Sequence, residues 1–261
     1  MRRTVAVLVV SGTLLAACTP SADDRVIVAA GTTVVDSGLI DAIVDEYIAT
    51  GGDGSISVIG LSTQQVLAYG GAGNADVTIT HDRAALDTFL EANTDSIAFP
   101  LFSSRFVLVG PPDTSFSDMS APGVLRGVAA QGLPFVSRDD GSGTYTRERA
   151  LWASIGVDPR GADWYIRTGT GMGATLQVAS ARAAVTLAEI GVFLTARDQL
   201  DLKEIGEEGD TLENPYDVAV VAPDDAPLAV TFVTWLISDA GGAAIESAND
   251  SIFGSQVYRL P

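Results

Sequence analysis

Short apolar segments alternate with helical patterns in two separate stretches of this chain, and this alternation restricts the possible folds most. In the first stretch, strands are predicted at Val26–Ala30, Ile56–Ile59 and Val77–Ile79, and a helical pattern follows each of them. A second series of the same kind runs from Phe135 to Leu187. Because strand–helix–strand repeats form parallel sheets covered by helices, the sequence predicts an α/β protein with two lobes.

The remaining predicted elements complete this plan. Leu39, Ile43 and Tyr47 lie beside a second column of apolar residues, which predicts a helix over residues 39–48. Further predictions in chain order are helices at Thr63–Ala68 and Arg83–Ala92, a strand at Phe135–Val136, a helix at Thr144–Ile155, a strand at Trp164–Ile166, a helix at Ala174–Ala181, and a strand at Ala184–Leu187. Two apolar segments, Ile97–Leu101 and Phe106–Val109, lie between the two series. The last strand, Val218–Val221, and the helix Val230–Ile237 are expected to rejoin the first lobe. Lobe one is therefore predicted at residues 25–110 and 215–261, and lobe two at residues 111–214.

The N-terminus, MRRTVAVLVVSGTLLAAC, predicts an export signal. Its uncharged stretch, Thr4–Ala17, gives a helix of about 21 Å, which is short for a hydrocarbon core of roughly 30 Å, so a permanent membrane span is not expected. Leu15-Ala16-Ala17-Cys18 resembles the bacterial lipobox, which implies a signal peptide at residues 1–17, lipid attachment at Cys18 and a tether at residues 18–24. The expected location is the extracytoplasmic face of a membrane. An ordinary secretory signal with a free cysteine is the alternative.

Composition excludes several classes of protein. The 33 acidic and 15 basic side chains give a net charge of -18, so nucleic acid is not an expected partner. A single Cys and a single His rule out disulfide frameworks and Cys/His zinc sites. The only lysine, Lys203, is followed by Glu204, so the chain lacks a P-loop. We expect no cofactor and no metal site.

Three predicted strands run into turns rich in glycine and hydroxyl side chains, and a helix follows each turn. The turns are GTTVVDSG at residues 31–38, GLST at residues 60–63 and SRDDGSGT at residues 137–144. A helix start leaves backbone amides without partners and carries the positive end of the helix dipole, which suits anions. Taken alone, each turn favours ordinary capping by residues such as Thr32, Thr33, Thr63 and Ser142. Together they predict an oxyanion site, because parallel α/β sheets bind ligands beyond the carboxyl ends of their strands.

Arg138 strengthens this prediction. It comes directly after the strand that ends at Ser137, where its planar guanidinium could reach an anion held by the following turn. The alternative is a local ion pair with Asp139, Asp140 or Glu148, and both roles are compatible.

Six segments resemble the substrate-binding proteins of tungstate ABC transporters, which have the type II periplasmic-binding-protein fold. The segments are TTVVDSGLIDAI (32–43), NADVTITHD (74–82), FVLVGP (106–111), FVSRDDGSGTYTRERALWASIGVDP (135–159), WYIRTGTGMGATL (164–176) and ENPYDVAVV (213–221). The resemblance implies two lobes, each a mostly parallel sheet flanked by helices. It also implies that the oxyanion is contacted by Thr32, Thr33, Thr63, Arg138, Ser142, Gly143 and Thr144.

The resemblance also implies a role in transport rather than in catalysis. The expected ligand is tungstate, with molybdate, sulfate or phosphate as alternatives, and the expected partners are an ABC permease and its ATPase. A monomer is expected. The chain departs from the family at Tyr145, where a His is usual, and at Ala30, Gly31 and Val34, where the family has more hydroxyl groups. An anion-sensing lipoprotein without a transport partner is the alternative from a different class.

Two enzyme classes match the sequence only in part. GTGMGA, residues 169–174, satisfies a relaxed dinucleotide fingerprint, and Glu189 stands twenty residues beyond Gly169 where a ribose-binding acid is expected. Ser142 in Gly-Ser-Gly lacks the spacing of a nucleophile elbow, and His81 is the only imidazole. His81 is interpreted as a structural residue at a strand end, and the acidic segment Glu204–Glu213 as a solvated loop.

Overall fold

The computed structural model describes residues 25–206 and 212–261. The predicted signal peptide, the lipid attachment at Cys18 and the tether lie outside the described residues, as do residues 207–211 of the acidic segment. The strands are β1 (Arg25–Gly31), β2 (Ser55–Leu61), β3 (Val77–Thr80), β4 (Ile97–Gly110), β5 (Phe135–Ser137), β6 (Tyr165–Arg167), β7 (Val185–Glu189), β8 (Lys203–Glu204) and β9 (Glu213–Val220). The helices are α1 (Thr32–Asp36), α2 (Leu39–Ala49), α3 (Thr63–Gly71), α4 (Arg83–Ala92), α5 (Ala121–Gln131), α6 (Gly143–Ser154), α7 (Met172–Ala181), α8 (Ile190–Ala196), α9 (Pro227–Leu236) and α10 (Asp239–Phe253).

The strands form a continuous mixed sheet in the order β2-β1-β3-β9-β4-β7-β5-β6, with β8 also paired to β4. The pairs made by β1 and by β5 are parallel, as the strand–helix alternation predicts. The pairs made by β9 and by β4 are antiparallel. The α/β fold with helices flanking a central sheet is therefore confirmed.

The long strand β4 joins the two halves of the sheet. It pairs with β9 as far as Arg105 and with β7 from Phe106 onward. We call the half containing β1, β2, β3 and β9 lobe one, and the half containing β5, β6 and β7 lobe two. The predicted return of the last strand is confirmed, because Val218 of β9 pairs with Ile79 of β3. The predicted boundaries at residues 110 and 214 stay a prediction.

Helix α2 shows how the apolar pattern builds the core of lobe one. Leu39, Ile43 and Tyr47, the first predicted column, are all buried. Ile40 in the second column is also buried, but Ile48 is 45% exposed. The helix therefore buries one apolar column and only the start of the other.

The apolar pattern does not predict helix α10, because the glycine pair Gly241 and Gly242 weakens a helical pattern. A Cβ added at Gly241 would lie 2.3 Å from the carbonyl oxygen of Leu236, at the end of α9. Glycine is therefore required where α10 starts close to the preceding helix. Within residues 25–206 and 212–261, no single helix is long and apolar enough to cross a membrane, and α9 with α10 passes that test only as a pair bent by 65°.

Candidate anion-binding site

Three helices begin where strands end, as the sequence predicts. Helix α1 starts directly after β1, α3 follows β2 after one residue, and α6 follows β5 across a five-residue loop. Gly31 and Leu61, the last residues of β1 and β2, are paired in register, so the first two helix starts are neighbours in lobe one. The start of α6 belongs to lobe two.

Arg138 connects the two lobes. Its side chain is 1% exposed, and one terminal nitrogen donates to the hydroxyl of Thr32 at 3.1 Å. The other terminal nitrogen lies 3.5 Å from the hydroxyl of Thr144 in α6. Arg138 is attached to lobe two through β5, so its bond to Thr32 spans the gap between the lobes.

Asp140 holds the guanidinium from the other side. Its Oδ2 accepts from Nε of Arg138 at 3.1 Å and from the terminal nitrogen at 2.5 Å. Its Oδ1 accepts from the Ser142 amide at 3.2 Å, so the carboxylate fixes both the arginine and the loop. Arg138 thus makes the local ion pair that was the alternative interpretation and still reaches across the cleft.

Thr33 belongs to a second polar group in lobe one. Its hydroxyl lies 3.0 Å from the hydroxyl of Tyr216, which also accepts from Nδ2 of Asn214 at 3.1 Å. A tyrosine hydroxyl has one proton, so Tyr216 is free to donate to Thr33 while it accepts from Asn214. Sequence reasoning did not identify Tyr216 or Asn214 as site residues, because β9 lies more than 180 residues from Thr33.

Thr63 and Ser142 differ in how their hydroxyls are used. Thr63 is 3% exposed, and its Oγ1 has no hydrogen-bond partner among the described residues. A buried hydroxyl without a partner is costly, so this atom is suited to receive a ligand. The hydroxyl of Ser142 accepts from the Tyr145 amide at 3.2 Å, which is an ordinary helix cap and agrees with the capping interpretation.

Gly143 allows the lobes to touch. A Cβ at this position would lie 2.6 Å from Cε1 and Nε2 of His81, a residue of lobe one. Any other side chain would therefore separate the start of α6 from His81.

Asp36 of α1 faces the same region of lobe two. A Cβ added at Gly171, before α7, would lie 4.0 Å from its Oδ2. Burial raises the pKa of Asp36, and the charge of Arg138 partly offsets this effect. Helix α1 of lobe one thus also lies close to the start of α7 in lobe two.

Comparison with known proteins identifies the family. Residues 18–240 match the PBP superfamily domain. The chain belongs to the PBP superfamily. The tungstate-binding protein TupA of Peptoclostridium acidaminophilum is 32% identical over 247 residues, which cover 91% of this chain and 86% of that protein.

Two solved structures of PBP-like proteins are also similar. The tungstate ABC transporter structure from Geobacter sulfurreducens is 31% identical, with a TM-score of 0.75 and coverage of 87% of this chain and 100% of that one. The tungstate-binding protein TupA from Desulfovibrio alaskensis G20 is 27% identical, with a TM-score of 0.71 and coverage of 90% and 97%.

The position of Glu189 argues against a dinucleotide site in this PBP-superfamily chain. Glu189 is 0% exposed, and its Oε1 accepts from the hydroxyl of Ser104 at 2.7 Å. Its Oε2 accepts from the Val192 amide at 3.1 Å and lies 3.1 Å from the hydroxyl of Tyr258. Both oxygens are occupied by protein groups, so Glu189 is not placed to bind a ribose, and the dinucleotide fingerprint has no matching acid.

Proposed function

We propose that this chain is the substrate-binding component of an ABC importer, and that it captures tungstate between its lobes for delivery to a permease and its ATPase. The observation that carries the proposal is the buried guanidinium of Arg138, which follows a strand of lobe two and donates to Thr32 of lobe one. The positive charge of Arg138 and the helix starts of both lobes would thus surround one ligand. The names and close similarity of the tungstate-binding relatives support the choice of ligand.

The proposed contact residues are Thr32, Thr33, Thr63, Arg138, Ser142, Gly143 and Thr144. Hydroxyls are suited to this role only if their protons point toward the ligand. Thr32 accepts from Arg138, and Thr33 is placed to accept from Tyr216. A hydroxyl that accepts from the protein keeps its own proton available, so Thr32 and Thr33 would act as donors.

A donor-rich site favours an oxyanion that carries no protons. A tetrahedral dianion loses strong hydration on entering the cleft, so each oxygen requires several donors. A protonated phosphate would require an acceptor, and the Asp140 carboxylate is already bound to Arg138 and to the Ser142 amide. This distribution of donors supports tungstate, molybdate or sulfate over phosphate.

The proposed contacts with the ligand would favour closure of the two lobes. Thr32, Thr33 and Thr63 belong to lobe one, whereas Arg138 and Thr144 belong to lobe two. A ligand that bonds to both sets has a higher affinity for the closed arrangement, and it therefore shifts the population toward that arrangement. A permease would then recognise the closed protein.

Calorimetric titration with tungstate, molybdate, sulfate and phosphate in turn tests the proposal. We expect submicromolar binding of tungstate and at least a hundredfold weaker binding of phosphate, which is a difference of about 2.7 kcal/mol. Tighter binding of molybdate would reassign the ligand within the same transport role. If none of the four anions binds tighter than micromolar, the transport function is wrong.

The lipid anchor at Cys18 is part of the same proposal. The sequence before Cys18 supports it, because small residues precede the cysteine as in the bacterial lipobox. We expect Cys18→Ser to move the protein from the membrane fraction to the soluble extracytoplasmic fraction, measured by fractionation. An unchanged membrane association would refute lipidation at this residue.

A further inference from the structure

His81 lies between the two lobes, next to the proposed anion site. It follows β3 of lobe one, and its ring stacks on Tyr216 with a centroid distance of 5.0 Å and an interplanar angle of 17°. The ring of Phe106 also lies near that of His81, with a centroid distance of 6.0 Å. The ring is therefore held in place by aromatic contacts in the region where the lobes meet.

The hydrogen bonds of Asn214 determine which nitrogen of His81 carries the proton. Nδ2 of Asn214 donates to Ser104 at 3.3 Å and to Tyr216 at 3.1 Å. Oδ1 of Asn214 is therefore the acceptor for His81, whose Nδ1 lies 2.7 Å away. Nδ1 carries the proton, and Nε2 is left unprotonated in a neutral imidazole.

The unprotonated edge of the ring faces lobe two. Cε1 and Nε2 are the atoms that a Cβ at Gly143 would approach to 2.6 Å, so this edge rests on the backbone at the start of α6. That start carries the positive end of the helix dipole. A second proton on Nε2 would place a positive charge against it.

The charged groups around His81 do not compensate for such a proton. His81 lines a cavity of about 260 Å³ together with four charged residues, which are Asp82 and Arg83 of lobe one, Glu213 of β9 and Arg147 of α6. Arg138, from the loop after β5, disfavours the protonated ring, whereas Asp82 favours it. Burial and Arg138 together outweigh the effect of Asp82, and Phe106, the residue of β4 that lines this cavity, is uncharged.

We propose that His81 is a positioning residue for anion capture: the lobes close on the oxyanion only while its imidazole is neutral, so capture releases a proton from the protein. This inference rests on the proposed function. It assigns His81 an effect on affinity that depends on pH, although His81 is not proposed to touch the ligand.

The expected size of the effect follows from the two protonation states. Burial lowers the pKa of His81 from 6.5 to about 4 in this structure, in which the ring contacts the start of α6. With an ordinary pKa near 6.5 in the open protein, closure would release about three quarters of a proton per anion at pH 6 and about a quarter at pH 7. Affinity would be highest above pH 7 and roughly tenfold weaker at pH 5.5 than at pH 8.

Calorimetry of tungstate binding in buffers with different heats of ionisation measures the released protons directly. We expect wild type to release roughly 0.7 proton more than His81→Gln at pH 6, with no difference at pH 8. The subtraction removes any proton taken up or released by the anion itself. Equal proton release by the two proteins would overturn the inference and leave the proposed function standing, whereas the absence of tungstate binding would overturn both.

A measurement on the wild-type protein avoids the risk that the variant folds poorly. The chain contains one histidine, so the ring nitrogens of a ¹⁵N-labelled sample report on His81 alone. We expect this ring to titrate near pH 6.5 without ligand and to stay neutral, with the proton on Nδ1, down to pH 5.5 with one equivalent of tungstate. The same titration midpoint in both samples would refute the inference.

Discussion

Replacing Arg138 with alanine should weaken tungstate binding by two separate effects. The first is the loss of a charge-assisted hydrogen bond to the anion, which contributes about 1.5–3 kcal/mol. The second arises from Asp140, whose side chain is only 14% exposed and which pairs with Arg138 at 2.5 Å. Without the guanidinium, this carboxylate would face the anion directly.

The geometry gives the size of the second effect. An anion bound to Arg138 at an ordinary distance of about 2.8 Å would lie roughly 5 Å from the Asp140 carboxylate. At an effective dielectric constant of about 20, two unit charges at this distance repel each other by about 3 kcal/mol. Together, the two effects predict a loss of affinity of at least about a hundredfold in Arg138→Ala.

Two further variants separate these effects in the same calorimetric assay. Adding Asp140→Asn to Arg138→Ala removes the repulsion, so we expect it to restore affinity at least about tenfold. Arg160→Ala is the matched control, because Arg160 and Asp158 form a 2.6 Å pair with the same two-residue spacing, with side chains 51% and 56% exposed. We expect it to bind as wild type does. A dissociation constant for folded Arg138→Ala within about threefold of wild type would refute the reasoning.

Three other variants test different parts of the structure. Thr63→Val removes a buried hydroxyl without a partner among the described residues, so urea unfolding of the ligand-free protein should show equal or slightly higher stability, while calorimetry shows about tenfold weaker binding. Tyr216→Phe releases the hydroxyl of Thr33 to act as an acceptor, so the ratio of tungstate to phosphate affinity at pH 6 should fall several-fold, whereas a purely structural defect would weaken both equally. Burial raises the pKa of Glu148 to about 7, so the folded state prefers the protonated carboxyl and wild-type stability should fall as the pH rises from about 4.5 through 7. Glu148→Gln, which still offers an oxygen to Tyr165, should lack this loss of up to about 3 kcal/mol between pH 5 and 8, measured by urea unfolding.

The strands and most helices could be predicted because buried apolar residues recur in the sequence with the period of the strand or helix. Val26–Ala30 lies within β1, and Arg83–Ala92 matches α4 residue for residue. Helix α5, between Ala121 and Gln131, was missed like α10, and both contain glycines that weaken the apolar pattern. In these helices, tertiary packing outweighs local propensity.

The same reasoning predicts only part of the candidate site. Arg138 and the helix starts follow strands directly, so their place at one edge of the sheet could be inferred from topology. Tyr216 and Asn214 come from β9, and local sequence does not show that an antiparallel return strand brings them to Thr33. His81 was interpreted as structural, and the interpretation did not include its contact with Gly143 of lobe two.

A chain of hydrogen bonds ties the polarity of the site to the strands that join the lobes. Oε1 of Glu189 accepts from Ser104 of β4 at 2.7 Å, so the Ser104 hydroxyl must itself accept from Nδ2 of Asn214 at 3.3 Å. The amide of Asn214 is thereby oriented with its other Nδ2 proton toward Tyr216, which leaves Tyr216 to donate to Thr33. Because Ser104 donates to Glu189, this contact sets the direction of the bonds that follow in the chain. The buried Glu189 thus helps to set the direction of the Thr33 hydroxyl proton, which in the proposed site would point toward the anion.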